Sequence, residues 1–158
     1  VSALNTTRAA IVSALKTLFA AHPEVEISAT TDIGKVWGVA RRKPAVFVIY
    51  NGTSAARQMQ QIGQRLHTPV HQDWVIVVVA ENFRNTTEAE TGYGTRLGLD
   101  DMVELVRGIR NVAISQAGIS TPLYLFLASE KPVEESDNPP TGGTVAYICH
   151  YQTQPVWV

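Results

Sequence analysis

A chain of 158 residues with 45% hydrophobic side chains is the length of one domain and buries roughly two thirds of its unfolded surface. Thirteen Lys and Arg against fourteen Asp and Glu leave a net charge of -1, which argues against a protein whose main work is gripping nucleic acid electrostatically. The single cysteine, Cys149, excludes an internal disulfide framework and any multi-cysteine zinc site.

In chain order, Leu4, Ile11, Leu15, Leu18 and Phe19 recur at helical spacing across residues 3–21, with Asn5 to Thr7 as early caps and Pro23 as the stop. Residues 25–28 alternate like a half-buried strand, and a looser region through Gly34 and Gly38 leads to the basic run Arg41, Arg42 and Lys43. Pro44 then opens residues 45–50, whose unbroken apolarity predicts a central strand covered on both faces. Asn51 and Gly52 carry turn chemistry and are read as its end. Residues 54–66 fit either a helix, through Ala55, Met59, Ile62 and Leu66, or a polar hairpin arm between two sheet strands; the hairpin is preferred.

Residues 74–80 are the second strong strand, and residues 81–98 read as a polar, Gly-containing loop too long for a tight turn. Asp100 and Asp101 sit where a helix N-terminus favours negative charge, and Met102, Val103, Leu105, Val106, Ile109, Val112 and Ala113 give the apolar face of a second helix ending near Gly118. A strand follows over residues 123–128, then a Pro-rich, acidic loop over 131–143, then a final strand over 144–151. The order predicts an α+β fold, a mostly antiparallel sheet with two helices packed on one face. No repeat or linker divides it, so residues 1–158 read as a single domain. The apolar run at 74–80 falls far short of the ~20 residues of a membrane-spanning helix, and the first residues lack a signal peptide's pattern. The expectation is a soluble protein made in the cytosol, with no membrane partner, for which the N-x-[ST] triplets at Asn5, Asn51 and Asn85 are chance.

The chemistry-bearing residues do not assemble into a recognised catalytic or metal motif. His67 and His71 have the spacing of two ligands on a helix, but Pro69 between them breaks that helix. Cys149 and His150 are neighbours on a strand and point to opposite faces, which separates a thiol from its base. His22 before Pro23 suits a helix end. The glycines of residues 92–98 precede a helix and raise a phosphate or nucleotide site as an alternative function. They follow the strand too distantly for a dinucleotide turn, and no lysine holds a P-loop position. No G-x-S-x-G elbow occurs, and Asp100, Asp101 and Glu104 are accounted for by the helix dipole. The expectation is no enzyme, no cofactor and no metal.

Contact surfaces are better supported. Arg41, Arg42 and Lys43 are the only basic run. Asn82, Phe83 and Arg84 begin the segment that leaves the 74–80 strand, and Glu134, Glu135 and Asp137 lie in a long arm that is costly to order unless something docks on it. Val156 and Trp157 form an apolar tip that calls for cover.

The order of these features resembles the tail terminator, or tail completion, proteins of tailed bacteriophages, in particular the Mu-like type. The matching stretches are Ala20-Ala21-His22-Pro23, Lys43-Pro44-Ala45-Val46-Phe47-Val48, and Trp74-Val75-Ile76-Val77-Val78-Val79 followed by Glu81-Asn82-Phe83-Arg84. Val106-Arg107-Gly108-Ile109-Arg110, Thr121-Pro122-Leu123 and the final Ala146-Tyr147-Ile148-Cys149-His150-Tyr151-Gln152-Thr153 continue the match. The resemblance implies a structural virion protein that forms a hexameric ring at the head-proximal end of the tail, assembled in the host cytoplasm. It implies that the ring caps the tail tube, stops its polymerisation and offers the head-side joining surface. Its partners would be the tail tube protein, a head-tail connector or neck protein and, in contractile tails, the sheath, with DNA only passing through the lumen. A head-tail adaptor of similar fold, one ring further up, is the alternative within the same class.

Overall fold

The structure, a computed structural model, describes residues 3–31, 43–55, 60–62, 65–67, 69–80, 86–116, 119–132, 146–153 and 156–157. Helix α1 (Ala3–Leu18) turns Ile11, Leu15 and then Phe19 into the core. Asn5 and Thr7 lie within its first turns instead of capping it; Thr7 is buried and Asn5 accepts a hydrogen bond from Arg8. After the turn at residues 19–21, β1 (Glu26–Ala29) runs parallel to β2 (Ala45–Ala55). Every other ladder of the main sheet is antiparallel: β2 with β5 (Pro69–Val79), β5 with β9 (Ala146–Thr153), and β9 with β8 (Leu125–Pro132). The order across the sheet is β1-β2-β5-β9-β8, and β10 (Val156–Trp157) pairs with the start of β5. The predicted fold class is the observed one.

The middle strands are apolar on both sides because both sides are covered. Val46, Val48, Trp74, Ile76, Val78, Cys149 and Tyr151 face the helices and join Ile11, Leu15, Met102 and Val106 in the main core. Ala45, Phe47, Ile49, Val75, Val77, Val79 and Ala146 form a second buried cluster, in which alternation along each strand places them on the opposite face. Burial on both faces removes the period-two signal and leaves the continuous runs seen in the sequence.

Several boundaries differ from expectation. Asn51 and Gly52 do not end β2; the register shifts between Tyr50 and Thr53, Gly52 adopts φ 94°, and the strand continues to pair Ala55 with Val70. The residue preference that makes a turn also makes a bulge. Beyond it, β3 (Gln60–Ile62) and β4 (Arg65–His67) pair antiparallel, so this region is a hairpin arm. The segment read as a loop over 81–98 contains a short helix, α2 (Thr86–Thr91), invisible to periodicity because Ala89 is its one apolar residue.

The second long helix, α3, spans Leu99–Arg107 and passes into a single 3-10 turn at Gly108–Asn111 instead of reaching Gly118. Val112 is already extended, and β6 (Ile114–Gln116) pairs with β7 (Ile119–Leu123). Ile109 and Ile114 both enter the main core, so apolar spacing persists after the helix has ended. One predicted strand over 123–128 is thus two, β7 and β8, and Lys131 and Pro132 belong to β8, not to a loop.

Candidate interaction surfaces

The helices position two grooves at opposite ends of the strand order. On one flank, α3 lies beside β8 and β9, and Asp100, Glu104, Arg107, Glu130, Pro132 and Tyr147 line an open groove. Amphipathic spacing explains the layout: Met102, Val103 and Val106 are buried, which turns Asp100, Glu104 and Arg107 outward. The Arg107 guanidinium donates to Glu130 through Nη2 and through Nε (to Oε2, 3.2 Å), and through Nη1 to Glu104. Such a two-point fork fixes the planes of both groups. The Glu130 hydrogen bond raises the pKa of Arg107 further, so the cation is permanent. Burial, followed by the charges of Asp100, Glu90 and Glu130, raises the Tyr147 phenol. The groove is therefore acidic apart from one guanidinium.

On the other flank, Asn5, Arg8, Val12, Lys16 and Ala29 line a groove between α1 and β1. Arg8 donates through Nη1 to Asn5 Oδ1 (3.0 Å), while its Nε is buried without a hydrogen-bond partner.

The sequence did not single out either groove. Their charges are not adjacent in the chain and form no run: Arg8 and Lys16 are spread along α1, and Asp100, Glu104 and Arg107 along α3, with Glu130 added from β8. For the basic one a signal was available, since positions 5, 8, 12 and 16 share a helical flank.

Among the residues picked from sequence, Lys43 is exposed ahead of the buried Pro44, and Val156 and Trp157 pair through their backbones with Val70 and Pro69 of β5. The C-terminal tip is thus anchored to its own sheet. Arg41, Arg42, Asn82, Phe83, Arg84, Glu134, Glu135 and Asp137 lie outside the described residues.

The pairs with catalytic spacing are held apart. Cys149 lies in the helix-side core, whereas His150 borders a hollow with Asn51, Asp73, Ser129 and Gln152, in which Gln152 Nε2 donates to Asp73 Oδ1 (2.8 Å). His67 is on β4 and His71 on β5; the His71 ring is engaged through Nδ1 with the Thr153 carbonyl (2.7 Å), and the Gln72 amide donates to Thr153 Oγ1 (3.0 Å). Among the described residues no group of three or more His, Cys, Asp and Glu side chains is placed to hold a metal ion. His22 ends the turn after α1, with Nδ1 3.6 Å from Glu24 Oε1. Gly92 and Gly98 form a backbone clasp: a Cβ on Gly98 would lie 2.3 Å from the Gly92 nitrogen. Close backbone packing is what these two glycines allow, and Asp100 and Asp101 in the next turn oppose an anion.

Burial pushes the Cys149 thiol up to about 12 from 9.0. The folded state therefore keeps its proton where the unfolded chain releases it, and stability is intact below pH 9 and falls as pH rises through the window from 9 to about 12. The limiting slope for this one group is about 1.4 kcal/mol per pH unit. Urea unfolding of the parent chain and Cys149→Ala from pH 8 to 11 is expected to show a steeper loss in the parent. Parallel curves would contradict a thiol held neutral by burial.

Solved structures offer low-identity likenesses. One is a chain of the virion of a native gene transfer agent particle, at 12% identity, 96% of each chain covered and TM-score 0.49. Another is a chain of the sheath/tube terminator of the extracellular contractile injection system PVC in its extended state, at 13% identity and TM-score 0.45. That match covers 95% of this chain and 56% of the other. Nothing among curated proteins matches. The family model described as Bacteriophage Mu, Gp37 matches residues 4–124, from the first turn of α1 to the end of β7, and the chain belongs to that bacteriophage family.

Proposed function

We propose that this chain is the subunit of a ring that caps the tail tube of a phage virion, stops its polymerisation and presents the head-side joining surface. The observation that carries the proposal is membership of the Bacteriophage Mu, Gp37 family, whose match spans the helices and strands β1, β2 and β5 of the sheet. The fold is compatible with this role, because its apolar strands are buried on both sides and association is left to edges, grooves and loops. The role is mechanical and non-enzymatic. One ring surface matches the exposed end of the tube, and the other lacks the surface on which a further tube ring adds. A head-to-tail contact whose rotation closes gives a finite ring, here a hexamer, from a small near-neutral subunit. Its neighbours are the tube protein below, the neck protein above and, in a contractile tail, the sheath; DNA passes through the lumen. Residues 41–43, 82–84, Glu134, Glu135, Asp137 and the Val156-Trp157 tip are the proposed contacts.

Particles assembled without the protein test the proposal by electron microscopy of tail length. Overlong, headless tubes are expected. Tubes of normal length that merely fail to join heads would overturn the cap and place the protein one ring further up, as a head-tail adaptor.

A further inference from the structure

We infer that copies of this chain join head to tail through its two grooves, the basic α1–β1 flank of one copy receiving the acidic α3–β8–β9 flank of the next. The inference rests on the ring proposed above and names the contact that would close it. The first support is charge. Asp100, Glu104 and Glu130 set three carboxylates against the single Arg107 guanidinium, an excess of two negative charges. Arg8 and Lys16 set two positive charges in the opposite groove.

The second support is placement. β1 and β8 are the first and last strands of the five-strand path, so the two grooves sit at its opposite edges. The sheet spans roughly 20 Å between them at the usual strand spacing. Both grooves are on the side where the helices pack, since Tyr147 joins the helix-side core and α1 and α3 share that core. Two different complementary patches on opposite edges make a heterologous contact, which repeats from copy to copy with one rotation. A pair of identical patches would instead stop at a dimer.

The third support is the unfinished hydrogen bonding of Arg8. Arg8 lines the groove, its Nη1 donates to Asn5, and its Nε is covered by the chain without a hydrogen-bond partner. A carboxylate of the next copy, met by a turn of the Arg8 side chain that brings Nε to the groove, completes the fork. On the acidic side Glu104 remains 70% exposed despite its contact with Arg107, and Asp100 is exposed at the helix start. Both are able to reach outward.

The test complements phage lacking the protein with Lys16→Glu, with Glu104→Lys, and with the two combined, each variant first shown by circular dichroism to be folded. Both positions are exposed, so the fold is expected to survive. Each single reversal is expected to lower infectious yield at least tenfold, and the combination to recover to within a few-fold of the parent. Singles without effect, or a combination no better than its parts, would overturn the contact. A second measurement separates this contact from the cap itself. Chains carrying Cys149→Ala with Lys16→Cys and Glu104→Cys are oxidised in purified particles, where a ladder of disulfide-linked multimers is expected. No ladder in tails of controlled length keeps the cap and overturns the contact. A ladder in particles whose tube length is unchanged by loss of the protein keeps the contact and overturns the cap.

Discussion

Trp74→Ala is expected to lower the unfolding free energy by about 3–5 kcal/mol, the usual loss for an aromatic cut from a packed core. Trp74 is fully buried in β5, opposite Tyr50 of β2 on one side and Tyr151 of β9 on the other. Its ring meets that of Tyr50 at 5.1 Å between centroids, tilted by 55°, an arrangement that adds to simple burial. The substitution therefore opens a cavity at the point where the three longest-paired strands share one layer. A domain of this kind holds about 5–15 kcal/mol in total, so a large fraction of its stability is at stake. Trp74→Phe is the informative companion. The indole Nε1 is buried without a partner, and its removal ends an uncompensated desolvation while most of the ring contact is retained. Phe should cost less than half of what Ala does, measured by urea midpoints at equal slope. Equal losses would mean that the aromatic contact contributes little beyond volume.

How much of this was legible in the sequence depends on what made each signal local. The runs over 45–50 and 74–80 announced central strands because burial on both faces is written residue by residue. The continuation of β2 to Ala55 was not legible, since it is fixed by pairing with Val70 to Gln72 some fifteen residues on, and a glycine at positive φ serves a bulge as well as a turn. The end of α3 was misjudged for a related reason. Ile109, Val112 and Ile114 keep feeding one core while the backbone changes from helix to extended chain, and apolar spacing alone does not register that change. α2 has five polar residues, Ala89 and no apolar stripe; its position follows from the Gly92–Gly98 clasp, a contact between backbones.

The candidate contact surface divides in the same way. Arg41, Arg42 and Lys43 stand out as a run, and an anionic groove assembled from Asp100, Glu104, Glu130 and Tyr147 does not. Its parts come from α3, β8 and β9, brought together by a sheet order that places the two last-made long strands beside one helix. The Arg107–Glu130 fork is what binds helix to edge strand there. It gives an acidic groove a fixed shape, which a solvated charge run lacks.

Gly98→Ala is expected to cost more than the 1–3 kcal/mol of ordinary overpacking, even though the backbone at that position is one any residue adopts. Gly98 has φ -83° and ψ 169°, so no conformational penalty attaches to a side chain. The obstacle is space. A Cβ there would stand 2.3 Å from the Gly92 nitrogen and 2.5 Å from the Glu90 carbonyl oxygen, both backbone atoms that move only with the whole of α2. Gly94→Ala is the control with the opposite character: φ is +61°, but nothing lies within 4 Å of the added carbon. Its cost should be the left-handed penalty alone, about 1–2 kcal/mol. Chemical denaturation ranks the two, and hydrogen exchange at the Met102 amide, which bonds the Gly98 carbonyl at 3.2 Å, reports whether the start of α3 has been displaced. The consequence reaches the groove, because Asp100 is two residues beyond the clasp and Glu104 one turn further along the same helix. Gly98→Ala should therefore weaken head-to-tail association as well as folding, whereas Gly94→Ala should touch neither the groove nor its partner. If the two substitutions prove equal in stability and in Met102 exchange, close backbone approach is not what holds the acidic flank in place.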